Sequence, residues 1–138
     1  MRVSVIIQAR MGSQRYPGKS LYEIKGKPVL GHVIDAVAQI IDRKLIYVDT
    51  STESHAIKEF CLSNAIEVYL GDEHNVALRF REIVKKSDID YFVRISGDSP
   101  LLDYRVVEEA LERLSQEVEP PDLVTTVSNR SYPSGLNV

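Results

Sequence analysis

Three cations stand close together near the start of this chain. Arg10, Arg15 and Lys19 lie within the segment Gln8–Leu21, QARMGSQRYPGKSL, with no acid between them. Gly12 and Gly18 sit among them and give the backbone the freedom to bring N–H groups up to an anion. Guanidinium groups bind phosphate oxygens through two parallel hydrogen bonds, and a lysine adds a compact point charge. The chemistry this combination suits is phosphate binding. A second candidate follows eighty residues on, in Arg94-Ile95-Ser96-Gly97-Asp98-Ser99-Pro100-Leu101. A carboxylate such as Asp98, beside a glycine at the end of a strand, is well sited for a magnesium ion that bridges phosphates. Taken alone, a Gly-Asp pair reads better as a turn. A phosphate-binding loop on the same sheet edge shifts that reading toward a metal carboxylate.

Two familiar phosphate loops are excluded. Gly18-Lys19-Ser20 suggests a P-loop, but five residues separate Gly12 from Gly18 where that motif has four. The following Leu21–Gly26 also reads as extended, whereas a P-loop runs straight into a helix. No G-x-G-x-x-G occurs, so the dinucleotide fingerprint fails as well.

The elements that must hold these loops follow from periodicity. Val3–Ala9 is an almost unbroken apolar run, as in a strand buried on both faces. Arg10–Ser20 is a loop, and Leu21–Ile24 a short extended piece before a Lys25-Gly26 turn. Pro28 opens a helix whose apolar face is Val29, Leu30, Val33, Ile34, Val37, Ile40 and Ile41. Lys44–Asp49 is a second strand. Thr50–Glu53 offers a capping box for a helix reaching Asn64. Ile66–Leu70 is a third strand, and Val76, Phe80, Ile83 and Val84 mark a third helix. Tyr91–Ile95 is a fourth strand, Asp103 can cap a fourth helix through Leu114, and Leu123–Val127 is a candidate fifth strand. Strand and helix alternate, which predicts an α/β protein. It is a three-layer α/β/α sandwich around a mostly parallel sheet. Ligands of such sheets bind beyond the carboxyl ends of the strands. That draws attention to Arg10–Ser20, Asp49–Ser54 and Ser96–Asp103.

Composition narrows the classes. The 138 residues carry 17 Lys and Arg against 20 Asp and Glu, a net charge of −3. Residues 1–30 carry +5 and the rest −8, so the basic segment is local. An acidic body disfavours broad nucleic-acid binding. One cysteine, Cys61, builds neither a disulfide framework nor a thiolate zinc site. No apolar run approaches the roughly 20 residues of a membrane span, and the N-terminus lacks a signal-peptide pattern. The expectation is a cytoplasmic protein. His32, His55 and His74 share no ligand spacing.

The motifs together resemble a family. QARMGSQRYPGKSL is similar to the opening signature of the cytidylyltransferases that activate sugar acids, nearest the branch named for spore-coat polysaccharide biosynthesis protein F. The signature A-R-x-x-S-x-R-x-P-G-K is met by Ala9, Arg10, Ser13, Arg15, Pro17, Gly18 and Lys19. Gly97, Asp98, Pro100 and Leu101 match that family's G-D-x-P-L motif, and Gly71–Arg79 resembles its stretch into the third helix.

The resemblance implies a nucleotide-diphospho-sugar transferase-like fold. The activity it implies is transfer of CMP from CTP to a sugar or sugar acid, with release of pyrophosphate, in surface polysaccharide biosynthesis. It implies nucleotide contacts from Gln8, Ala9, Arg10, Gly12, Ser13, Arg15, Lys19, Arg79 and Ser96, with Arg10 and Lys19 catalytic. Mg²⁺ would sit on Asp98. Asp103 matches a family aspartate and equally suits a helix N-cap. Arg79 equally suits an ion pair with Glu82 or Glu73. Asp49 and Ser51 are weaker candidates to flank the base. Partners would be CTP and the acceptor, with a homodimer possible and neither nucleic acid nor membrane. The family's members are longer, so residues 1–138 are expected to form a single nucleotide-binding domain truncated on its C-terminal side. The alternative is an inactive nucleotide-binding module or assembly domain.

Overall fold

The structure, a computed structural model, describes residues 1–12, 15–116, 118–119, 121–128 and 138. Its centre is β1 (Val3–Gln8), where Val5, Ile6 and Ile7 are fully buried. After the basic loop, β2 (Glu23–Ile24) and β3 (Lys27–Pro28) pair as a small antiparallel ribbon. Lys25 and Gly26 turn it with positive φ of 52° and 75°, the primed geometry of a two-residue hairpin. Then follow α1 (Val29–Val37), β4 (Ile46–Ser51), α2 (His55–Ser63), β5 (Glu67–Gly71), α3 (Val76–Ser87), β6 (Tyr91–Ser96) and α4 (Tyr104–Gln116).

The main sheet has the order β5-β4-β1-β6, and every pairing in it is parallel. Alternate side chains of each strand face opposite layers. Val5, Ile7, Val48, Val93 and Ile95 pack with residues of α1, α2 and α4, including Leu30, Val33, Ile57 and Val107. Ile6 and Tyr47 pack on the other face with Phe80 and Ile83 of α3. The three-layer sandwich is therefore as expected. Each fully buried Ile, Leu or Val contributes roughly 1.5–3 kcal/mol. Cys61 belongs to the larger core, and burial pushes its thiol up to about 12, leaving it an inert small hydrophobe.

Three local expectations are corrected. The Thr50–Glu53 capping box does not form, because β4 runs on through Ser51 to pair with Gly71. Helix α2 instead begins after Ser54, whose hydroxyl pairs with that of Ser51 at 3.1 Å. Ile40 and Ile41 lie beyond the end of α1, in the turns leading to β4. Leu123–Val127 is not a strand: it joins no sheet, and Leu123 is largely exposed. Thr125 and Thr126 hydrogen-bond to Val138 instead. No helix among the described residues is long and apolar enough to cross a membrane.

Candidate active site

The chain leaves β1 for β4 and β5 on one side, then returns to place β6 on the other. The carboxyl ends of β1 and β6 therefore flank the point where the winding reverses, the usual crevice for ligands in such sheets. Both chemistry-bearing loops start there. Gln8 stands level with Asp49 of β4 and Ser96 of β6. Its side-chain oxygen accepts from Arg94 Nη2 at 2.7 Å. Ala9 is buried and donates its N–H to the Asp49 carbonyl at 2.9 Å.

The loop from Arg10 is fastened at Gly18, which adopts a left-handed φ of 73° and donates its N–H to Met11 O at 3.0 Å. Lys19 then begins a short 3-10 turn over Lys19–Leu21. Its ammonium forms an ion pair with Asp98 across the crevice, with the two side chains 34% and 26% exposed. The Ser96 hydroxyl donates to the same carboxylate. Burial pushes the Asp98 carboxyl up, but the hydrogen bonds from Lys19 and Ser96 and the Lys19 charge outweigh it. The net direction is below the usual carboxylate range. Arg10, Gly12 and Arg15 are exposed on the loop, and Ser13 lies outside the described residues.

Gly97 is what lets β6 come this close. Its N–H donates to Gln8 O at 2.8 Å, and a Cβ there would lie 2.9 Å from the Ala9 Cβ and 3.1 Å from Gln8 O. Backbone and a rigid methyl cannot yield, so Gly97→Ala is expected to part β1 from β6 at the crevice. The expected cost is about 1–3 kcal/mol of stability, seen as a lower urea midpoint, as for other overpacked sites.

Arg79 is corrected. It is buried at 6% exposure, and its guanidinium does not face the basic loop as a free ligand. Nε and Nη2 clasp the Asp49 carboxylate at 2.7 and 3.0 Å. Nη1 donates to the carbonyls of Asp72 and Glu73. The partner is neither Glu82 nor the Glu73 side chain. Asp49 is fully buried; burial pushes its carboxyl up from the usual range, against the pull of Arg79. Asp103 caps α4, accepting the Arg105 N–H at 3.0 Å while its carboxylate pairs with the Arg105 guanidinium. Ser51 is bonded to Ser54 and is buried. Arg94 is the residue that residue-type reasoning passed over. Its only signal was the in–out alternation of β6, which turns Arg94 and Ser96 to one face together.

Among the described residues no three His, Cys, Asp or Glu side chains cluster as a complete metal cage. A single carboxylate nonetheless suits magnesium, which keeps waters and takes its remaining ligands from substrate phosphates. The Lys19 ammonium already marks the Asp98 carboxylate as a place for positive charge.

Comparison with known proteins identifies the family. The cytidylyltransferase family model matches residues 4–133. A 3-deoxy-manno-octulosonate cytidylyltransferase of Francisella philomiragia is 33% identical over 135 residues, 94% of this chain and 52% of its own length. That of Geobacter metallireducens is 30% identical over 116 residues, 83% of this chain and 45% of its own. Among solved structures, a cytidylyltransferase from Leptospira borgpetersenii superposes with a TM-score of 0.92 at 26% identity. That superposition covers 99% of this chain and 58% of the other. A CMP:2-keto-3-deoxy-manno-octonic acid synthetase complexed with CTP gives 0.71 at 27% identity, over 81% of this chain and 46% of the other. The chain thus spans about half the length of the curated relatives it matches. A family model covering nearly the whole chain, on a crevice built from that family's two motifs, shows that this chain belongs to the cytidylyltransferases.

Proposed function

We propose that this chain binds CTP at the crevice between β1 and β6 and transfers CMP to a sugar acid, releasing pyrophosphate. The observation that carries the reading is the meeting of Lys19 and Asp98 across that crevice. It puts the end of the basic loop beside a carboxylate held ionised, the charge pattern a metal–triphosphate complex requires. The sugar-acid acceptor is inferred from the 3-deoxy-manno-octulosonate cytidylyltransferases it resembles. Surface polysaccharide synthesis, including a spore coat, is the setting such an activated sugar serves.

In this reading an acceptor hydroxyl attacks the α-phosphorus and gives its proton to solvent, the bond to the bridging α,β oxygen breaks, and pyrophosphate leaves with that oxygen. Arg10, Arg15 and Lys19 hold the triphosphate and neutralise the departing charge. Gly12 contributes loop backbone, Ser13 is a nucleotide contact by resemblance alone, and Gln8, Ala9 and Ser96 line the floor beneath the nucleotide. Arg79 acts from behind that floor. Asp98 would hold Mg²⁺, which supplies charge neutralisation of the phosphate oxygens when bound. Positioning and electrostatics suffice for such a transfer, and no covalent enzyme intermediate is needed.

The test is calorimetric titration of the chain with CTP, with and without Mg²⁺, beside a pyrophosphate-release assay with sugar acids. Saturable CTP binding that needs Mg²⁺, with pyrophosphate released on adding an acceptor, is the expected result. Binding without release would favour the reading as a nucleotide-binding module. Absence of both would remove the proposal.

A further inference from the structure

The Asp49–Arg79 pair is built in a way the chemistry above does not use. Two opposite charges are taken almost wholly out of water, at 0% and 5% side-chain exposure, thirty residues apart in sequence. Apolar replacements of such pairs are often as stable or more so, so stability alone does not account for one. Its contacts suggest another task. Asp49 stands level with Gln8, and its carbonyl takes the Ala9 N–H, so it fixes the point where β1 gives way to the basic loop. Arg79 reaches in the other direction. Its Nη1 holds the Asp72 and Glu73 carbonyls, the latter at 3.2 Å.

The turn at Asp72 is ordered in its own right. The Asp72 carboxylate accepts the N–H groups of His74 and Asn75 at 2.8 and 2.9 Å, and Asn75 caps α3 through Leu78 N. From this turn Glu73 extends to the basic loop: its Oε1 lies 2.8 Å from where a Cβ on Gly12 would stand. Gly71 leaves room for the Arg79 stem, since a Cβ there would meet Arg79 Cγ at 2.7 Å. One guanidinium thus ties the root of the basic loop, through Asp49, to the turn that abuts the same loop three residues later.

We propose that Asp49 and Arg79 are positioning residues for nucleotide binding, a buried brace that fixes both the exit of β1 and the Glu73 turn against which the Arg10–Lys19 loop rests. The proposal rests on the reading of that loop as the CTP site. The brace touches no substrate; it lowers the cost of ordering the loop when the triphosphate arrives. Arg79→Lys would keep the charge balance but cannot make the forked clasp together with two carbonyl bonds.

The experiment compares wild type, Arg79→Lys and the double variant Asp49→Ala/Arg79→Met, all well below their melting temperatures. CTP affinity with Mg²⁺ is measured by calorimetry, and amide exchange by NMR. Both variants are expected to bind CTP at least tenfold more weakly. Exchange is expected to quicken at Ala9, His74 and Asn75 and to stay as in wild type along α1. Should the double variant not fold, Arg79→Lys, with its buried charges still balanced, carries the same test. Folded variants whose CTP affinity stays within twofold of wild type would overturn the brace and leave the CTP site standing. Wild type that does not bind CTP would overturn the CTP reading itself, and the brace proposal with it.

Discussion

Replacing Lys19 with alanine is expected to lower kcat/KM for CTP by about 10²–10³-fold while leaving the fold intact. The magnitude is that of deleting one preorganised donor aimed at developing charge. Lys19 lies at the end of the basic loop and faces Asp98 across the crevice, so its ammonium is already where the phosphates and the metal would gather. The stability side follows from exposure. With the two side chains 34% and 26% exposed, the ion pair is partly screened by solvent, and its loss costs about 0–1 kcal/mol. Activity and stability should therefore part company in this variant. Measured kcat/KM alongside a urea midpoint checks both halves, and an equal loss in each would contradict the assignment. The acid limb gives a further signature. The Asp98 carboxyl sits below its usual range in the folded state, so its contribution to stability is present above the unfolded value, about pH 4. It is lost as the pH falls through the lower folded value. Without Lys19 that acid-limb contribution shrinks.

The arrangement of strands explains why two loops so far apart in sequence share one site. A parallel sheet sends every strand's carboxyl end to the same edge, and the reversal of winding at β1 leaves a gap there. Lys19 and Asp98 are brought together by that topology and by the missing Cβ of Gly97.

What could be read in advance was what depends on local spacing. The apolar run of β1, the helical face of α1 and the alternation of strand with helix follow from residue order alone. So did the loop bearing Arg10, Arg15 and Lys19, because its charges are adjacent in the chain. Long-range pairing was not legible. Helical neighbours offered Arg79 a partner in Glu82, yet it clasps Asp49, thirty residues back on β4. Thr50–Glu53 had the composition of a capping box, but sheet pairing with β5 extended β4 over its first two positions. Leu123–Val127 had β-branched residues but pairs with no strand among the described residues. In the first two cases a tertiary contact outweighed a local preference, and in the third no sheet pairing supported it.

The largest stability effect should come from breaking the Asp49–Arg79 pair on one side only. Arg79→Met leaves a fully buried carboxylate with no countercharge, and removing one partner of such a pair costs about 3–5 kcal/mol. Against the roughly 5–15 kcal/mol that holds a typical domain folded, that is a large share. Asp49→Ala alone strands the guanidinium instead and should cost a comparable amount. The double variant should be markedly more stable than either single one, because no unpaired charge remains. The pH dependence separates this cause from simple loss of packing. Burial already pushes the Asp49 carboxyl up, and without Arg79 only the more distant charge of Arg94 opposes it. A group whose folded pKa exceeds its unfolded value contributes stability below the unfolded value, about 3.9, and loses it as the pH rises through the folded one. The deficit of Arg79→Met relative to wild type should therefore narrow as the pH is lowered from 7 toward 4. Urea unfolding at a series of pH values measures it. A deficit that stays constant over that range would mean that the cost comes from the lost arginine stem and its carbonyl bonds rather than from a stranded charge.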